Sequence, residues 1–270
     1  MKAAPEAVMT TQEQAGEDPF ASFSITNKER VSTMASFHHR IKSGKKGTAE
    51  AHVEYIAREG KHALRHDLMA SGVGNMPGWA EQRPMLFWHL ADRYERKNGA
   101  AYKEHEVALP SELLLAQQVE LVERLLPILV GDKPHQWAIH MPKSSLEGVA
   151  NAHVHIMYSD RMDDGIPRAP EQGFKRYNPT EPSKGGFRKD SGGMSPLEIR
   201  MKMKALRKQG ADIQNEVLEK YGHSARVDHR SLRDRGIEQK PETHLGQARI
   251  RRMSESEKKA YLDERNKRRG

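Results

Sequence analysis

Apolar residues recur along this chain in two rhythms, one of about 3.6 residues and one of 2, and their succession predicts an α/β fold. Residues 1–32 carry neither rhythm and are expected to form a flexible tail. Thr33–His38 reads as a first strand, followed by the glycine- and lysine-rich loop Lys42-Ser43-Gly44-Lys45-Lys46-Gly47. A helix is predicted from Thr48, its N-cap, to about Arg58. Residues 60–78 look irregular. Met85–Tyr94 has helical spacing, with Leu86, Leu90 and Tyr94 on the apolar face, and Asn98-Gly99 breaks it. Ala101–Leu109 alternates as a strand that sets Tyr102, Glu104 and Glu106 on one face, with Pro110 as its stop. A helix from Ser111 to about Leu126 follows, then strands at Gln136–Met141 and Ala152–Ser159. After the turn Asp163-Asp164-Gly165 the chain is rich in Lys, Arg, Gly and Pro as far as Gly193. Ser195–Tyr221 reads as a long helix, opened by Ser195-Pro196 and stopped by Gly222. Residues 247–270 are dominated by charge and form either a solvated helix or no regular structure.

With 270 residues and 36% apolar content, the chain suffices for one main domain, expected over residues 33–246. A formal net charge of +8 favours a polyanionic partner, nucleic acid first. No apolar run approaches the roughly 20 residues of a membrane span, and Met1–Phe20 has no signal-peptide core, so a soluble cytoplasmic protein without membrane insertion is expected. The absence of cysteine excludes disulfides, thiolate metal sites and a cysteine nucleophile. No phosphate-binding loop of the ATP-hydrolysing type is present either.

The sharpest chemical signal is Ala152-His153-Val154-His155-Ile156. In a strand, residues i and i+2 share a face, so His153 and His155 project together while Val154 and Ile156 turn to the core. His140, at the end of the preceding strand, joins them if the two strands are antiparallel neighbours. Three neutral imidazoles would hold a divalent cation, Mg or Mn foremost with Zn as the alternative, and leave coordination positions open for a phosphate oxygen. Such a site needs a carboxylate that fixes a ligand's tautomer, and Glu104 and Glu106 are both candidates. The plain alternative is a set of ordinary surface or core histidines, of which the chain has 14.

Of seven tyrosines, Tyr55 is best placed as a nucleophile, in Ala51-His52-Val53-Glu54-Tyr55-Ile56-Ala57-Arg58-Glu59-Gly60-Lys61-His62 among basic side chains able to hold a phosphate backbone. By periodicity alone a helix tyrosine is more often a core or rim residue. The segment from Tyr55-Ile56 to Arg58-Glu59-Gly60-Lys61 resembles the nucleophile segment of the MobA/MobL relaxases of mobilisable plasmids. Tyr94-Glu95-Arg96, Asn98-Gly99, Lys103-Glu104, Glu106, Ala108-Leu109-Pro110, Ala138-Ile139-His140 and His153 with His155 continue the likeness in order. So do Phe174-Lys175-Arg176-Tyr177-Asn178, Lys184-Gly185-Gly186, Asp228-His229-Arg230-Ser231-Leu232 and His244-Leu245-Gly246.

The resemblance, over about residues 33–246, implies a relaxase fold of the His-hydrophobic-His (HUH) endonuclease class, a central antiparallel sheet with helices packed on one face and the metal on the other. It implies Tyr55 as nucleophile, His140, His153 and His155 as ligands, and Glu104 as the acid orienting a ligand, with Glu106 as the second choice. The activity it implies is conjugation chemistry: metal-dependent nicking and rejoining of one strand at a plasmid origin of transfer through a 5′-phosphotyrosyl intermediate. Implied partners are single-stranded origin DNA, accessory relaxosome proteins and a conjugative coupling protein, and the protein itself is a candidate for transfer into the recipient cell. Candidate DNA contacts are Lys42, Lys45, Lys46, Lys61, Arg161, Lys175, Arg176 and Lys184, with Tyr177 stacking on a base. The rival readings are a rolling-circle replication initiator with the same chemistry, a non-catalytic origin-binding repressor, and a hydrolase in which water attacks.

Overall fold

A computed structural model describes residues 37–238 and 245–269, apart from 145, 147 and 149. Its order is β1 (His39–Lys45), α1 (Ala49–Ala57), β2 (Leu68–Gly74), α2 (Pro84–Tyr94), β3 (Ala100–Ala108), α3 (Leu115–Leu129), β4 (His135–His140) and β5 (His153–Tyr158). The single turn α4 (Pro170–Gly173), the long α5 (Pro196–Lys220), α6 (Gly246–Arg252) and α7 (Glu255–Arg269) complete it. The strands form one antiparallel sheet in the order β1-β3-β5-β4-β2.

Alternation assigns the two faces. Val107, Trp137, Ile139, Val154, Ile156 and Tyr158 pack with Leu121, Val122 and Leu125 of α3 and Val217 and Leu218 of α5. Burying each such side chain contributes about 1.5–3 kcal/mol, so this face anchors the fold. Ala138 and Met157 pack on the other face against Val53 and Ile56 of α1 and Phe87, Trp88 and Ala91 of α2. The antiparallel sheet with helices is as expected, but helices cover both faces rather than one. The second layer matters for function, because α1 carries Tyr55 over the same face that carries the histidines.

Several expectations need correction. The first strand is His39–Lys45, so most of the anticipated lysine loop is strand, and Thr33–Ser36 lie outside the described residues, as does the tail of residues 1–32. The apolar face of α2 is Phe87, Trp88 and Ala91, with Leu90 and Tyr94 at its margin. Residues 111–114 precede α3, which runs instead to Leu129. Residues 60–78 hold a strand, β2, where irregular chain was anticipated. Its Leu-Met-Ala-Ser-Gly-Val-Gly sequence lacks contrast because the Trp137 side chain packs close on Gly72, where a Cβ would come within 2.6 Å of the indole. The long α5 starts as anticipated: Ser195 accepts from the Glu198 N–H, Glu198 accepts from the Ser195 N–H, and Gly222 follows with φ +75°. Residues 246–252 and 255–269 are helical, which decides the question left open for the charged end.

Candidate metal and nucleophile site

His140 faces His153 across the β4–β5 ladder, and His155 sits two residues further along β5 on the same face. One nitrogen from each ring lies within 4.8 Å of the others. The ring centroids are 5.7 Å apart for His140 and His153, 4.9 Å for His140 and His155, and 5.0 Å for His153 and His155. Burial lowers His140 to a pKa of about 3 and also lowers His153, so both imidazoles are neutral at physiological pH, the form a cation requires.

The remaining ring positions show how well this set fits a metal. His155 gives its Nδ1–H to Glu104 Oε1, and its Nε2 is buried without a hydrogen-bond partner. His153 gives Nδ1–H to the Asn151 carbonyl at 2.9 Å, which leaves Nε2 as the acceptor nitrogen. These are the anchored tautomers seen in metal-ligating histidines. His140 differs, since its Nε2–H donates to the Ile56 carbonyl at 2.7 Å and its Nδ1 accepts from Arg58 at 3.1 Å. The set fits a divalent ion once His140 Nδ1, the ring nitrogen that carries the lone pair, is released by Arg58.

Glu104 is fully buried and accepts from two histidines, His155 at Oε1 and His52 Nε2–H at 2.8 Å at Oε2. Burial pushes its carboxyl up, but the two hydrogen bonds outweigh that and hold it well below the usual range. Glu106 lies opposite His155 in the ladder yet binds Lys42 instead. Of the two carboxylates considered, only Glu104 meets a histidine of the triad by hydrogen bond.

Tyr55 enters from the C-terminal turn of α1. Its ring centroid is 6.2 Å from that of His155 and 6.3 Å from that of His140, edge-on to both. His62 stands 5.3 Å away, and the guanidiniums of Arg58 and Arg65 lie 4.6 and 5.5 Å from the ring centroid. Both ends of α1 are held from outside the helix. At the N-terminus Thr48 makes no side-chain cap; Asp92 of α2 accepts from the N–H groups of Gly47, Ala49 and Glu50 at 2.7, 2.9 and 2.9 Å. At the C-terminus Arg58 adopts left-handed backbone, φ 56°, a conformation that costs a non-glycine residue about 1–3 kcal/mol and persists where the surroundings impose it. Those surroundings are Asp67, which takes Arg58 Nε–H at 2.7 Å and Nη2–H at 2.9 Å, and the Tyr55 carbonyl at 2.6 Å.

Residues 35–255 match the sequence profile of the MobA/MobL family. The chain belongs to the MobA/MobL family. It is 44% identical over 208 residues to the 43 kDa relaxation protein of Salmonella typhimurium, covering 76% of this chain and 56% of that one. It is 42% identical over 219 residues to Mobilization protein A of Escherichia coli, covering 79% of this chain and 30% of that one. Against the mobilization protein MobL of Acidithiobacillus ferridurans the identity is 27% over 201 residues, 64% of this chain and 48% of the relative. The chain thus spans about half or less of the length of these relatives. A solved structure described as "Molecular Basis of Vancomycin Resistance Transfer in Staphylococcus aureus" covers 73% of this chain and 100% of its own at a TM-score of 0.54 and 21% identity, a likeness of fold. That shared fold is the relaxase fold implied by the sequence resemblance. No helix of the described residues is long and apolar enough to cross a membrane.

Within this family fold the nominated DNA contacts separate into groups. Lys45, Lys46 and Lys61 are exposed near the two ends of α1. Lys42 is engaged by Glu106, and Lys184 is exposed but pairs with Glu181 at 2.7 Å. Lys175 and Arg176 are exposed and Tyr177 is half-buried beside them. Arg161 is no free surface cation: its guanidinium is buried against Glu95 at 2.8 Å and its N–H groups are spent on Glu95 and on the carbonyls of Phe174, Lys175 and Phe187. Composition alone did not single out His52, Arg58 or Asp67. For His52 a signal existed, since it lies three residues before Tyr55 and therefore on the same helical face.

Proposed function

We propose that this chain is the catalytic part of a conjugative relaxase, a DNA strand transferase that nicks one strand at a plasmid origin of transfer and later rejoins it. The carrying observation is the convergence of Tyr55, from α1, on a cluster of three histidines from β4 and β5. Tyr55 Oη bonds to the scissile phosphorus as the bond from phosphorus to the 3′-oxygen breaks. The phenolic proton leaves Tyr55 and a proton reaches the departing 3′-oxygen. The products are a 5′-phosphotyrosyl link and a free 3′-hydroxyl, and the link retains the energy needed for rejoining.

His140, His153 and His155 would hold a divalent ion, Mg or Mn foremost with Zn as the alternative, and when bound it withdraws charge from a non-bridging phosphate oxygen. Glu104 fixes His155 with Nε2 outward, and His52 in turn braces Glu104 against α1. Arg58 and Arg65 bring positive charge to the ring of Tyr55, where an anionic backbone must approach. The relatives' names, relaxation and mobilization proteins, support the reading. Single-stranded origin DNA, accessory relaxosome proteins and a coupling protein are the partners it carries, in the cytoplasm of a plasmid-bearing cell.

The test is incubation of the chain with a 5′- or 3′-labelled single-stranded oligonucleotide spanning the cognate origin, with Mg or Mn, followed by denaturing gel electrophoresis. A protein adduct on the fragment downstream of the nick and a free 3′-hydroxyl on the other are expected. Cleavage without adduct would indicate attack by water and overturn the transferase.

A further inference from the structure

We propose a second nucleic-acid site at the far end of the sheet, a basic pocket that takes one nucleotide of a single strand, with its phosphate on Arg96, Arg176 and Arg188 and its base on Tyr177. It rests on the reading of the chain as a DNA strand transferase. The pocket encloses about 440 Å³, and Arg96, Lys175, Arg176, Tyr177, Arg188 and the Gly192-Gly193 turn line it with no acidic residue among its walls. That size suits a small-molecule moiety, for which sites run from about 300 to 1,000 Å³. It is remote from the histidines: Tyr158 lies about 10 Å along β5 from His155 at about 3.3 Å per residue, and Arg161 is three residues beyond.

The pocket is built rather than incidental. Arg161 is buried with Glu95, and its guanidinium holds the carbonyls of Phe174, Lys175 and Phe187, tying two loops together. Burying an arginine is costly unless every donor is used, and here that cost maintains the shape of a surface loop. The loops lie flush, with Gly186 N–H on the Arg176 carbonyl at 3.0 Å and Phe187 N–H on the Gly173 carbonyl at 2.9 Å. A Cβ at Gly186 would stand 2.2 Å from the Lys175 carbonyl oxygen, which explains the Lys184-Gly185-Gly186 sequence. Fixed backbone lowers the entropy lost when the side chains it carries meet a ligand.

The charges also sort themselves. Glu95 pairs with both inner cations, Arg161 and Lys189. Lys175, Arg176 and Arg188 are exposed and meet no carboxylate among the described residues, and Arg96 is half-exposed with its Nε 3.7 Å from Glu95. Converging guanidiniums with an aromatic ring beside them suit a phosphate with its base unstacked, the form in which a single strand and not a duplex presents itself.

The experiment uses the full chain in EDTA, so that binding is read without a metal, and a fluorescein-labelled 20-mer of thymidylate followed by anisotropy at several salt concentrations. Arg96→Ala and Arg188→Ala are each expected to make the log–log salt dependence shallower by about 0.7, and the double variant by about 1.4. Tyr177→Ala is expected to weaken binding about tenfold with the slope unchanged. Tyr55→Phe should leave the slope as it is. Unchanged slope and affinity in a double variant that melts like wild type would overturn the pocket, as would full competition by micromolar free thymidine monophosphate, which would make it a mononucleotide site. The adduct assay is run in parallel with metal: no adduct with shifted slopes sinks only the transferase, and adduct with unshifted slopes sinks only the pocket.

Discussion

Arg58 Nη2–H donates to His140 Nδ1 at 3.1 Å while the same guanidinium stands 4.6 Å from the centre of the Tyr55 ring. One side chain therefore reaches both a candidate ligand, whose Nδ1 it must release to a cation, and the candidate nucleophile. Arg58→Lys keeps the charge but loses the planar fork that grips Asp67 through two nitrogens. Strand cleavage is expected to fall about 10- to 100-fold, as for other residues that orient a ligand, with binding of single-stranded DNA unchanged. Cleavage at the wild-type rate in this variant would remove Arg58 from the positioning apparatus.

Tyr55→Phe deletes only the phenolic oxygen. The variant should bind origin oligonucleotide like wild type and form no covalent adduct. Should the adduct persist, the remaining tyrosines become candidates and the role of α1 is lost.

Replacing His153 or His155 by Ala should lower both metal affinity, read by calorimetry with Mn, and cleavage, since a three-histidine site cannot lose a ligand and keep its geometry. Glu104→Ala is expected to be milder, about 10- to 100-fold, because it removes the acceptor of His155 and not a ligand. Metal binding like that of wild type in both histidine variants would contradict the assignment.

Acid sensitivity should come from the opposite face as well as from the lowered histidines of the site. His39 and His105 share a buried 2.8 Å hydrogen bond, and burial lowers them to about 4 and about 3. Both are neutral in the folded and unfolded chain above about pH 6.5, so their full contribution is present there. As pH falls below 6.5 the unfolded chain takes up protons that the folded one refuses, and stability drops down to the folded values. One such group costs about 2 kcal/mol between pH 6.5 and 5. His105→Gln should therefore be less stable than wild type at pH 7 yet lose about that much less on going to pH 5, as read from urea midpoints. Equal losses in the two proteins would contradict this.

What could be read in advance depended on whether the signal was local. His153 and His155 declare themselves because a strand's period of two puts them on one face, and Ser195-Pro196 announces α5 by a cap followed by a first-turn proline. β2 was hidden because its glycines trade side-chain contrast for close approach to Trp137 and His135. Arg161 misled because charge type does not reveal whether a guanidinium meets water or a buried Glu95. The link from Arg58 to Asp67 and His140 joins positions 9 and 82 residues away and exists only once the chain is folded.

The strand order has a further consequence. β5 lies at the middle of the sheet, with β3 and β4 on either side and β1 and β2 as the two margins. Every strand that carries a histidine of the cluster or its supporting glutamate thus has a neighbour on both sides, so the candidate metal site coincides with backbone that opens only when the whole sheet does. Tyr55, the candidate nucleophile, sits instead on nine residues of helix tethered at each end by side chains. In slow hydrogen exchange the amides of β4 and β5 should outlast those of α1, a stationary anvil beneath the helix that carries Tyr55.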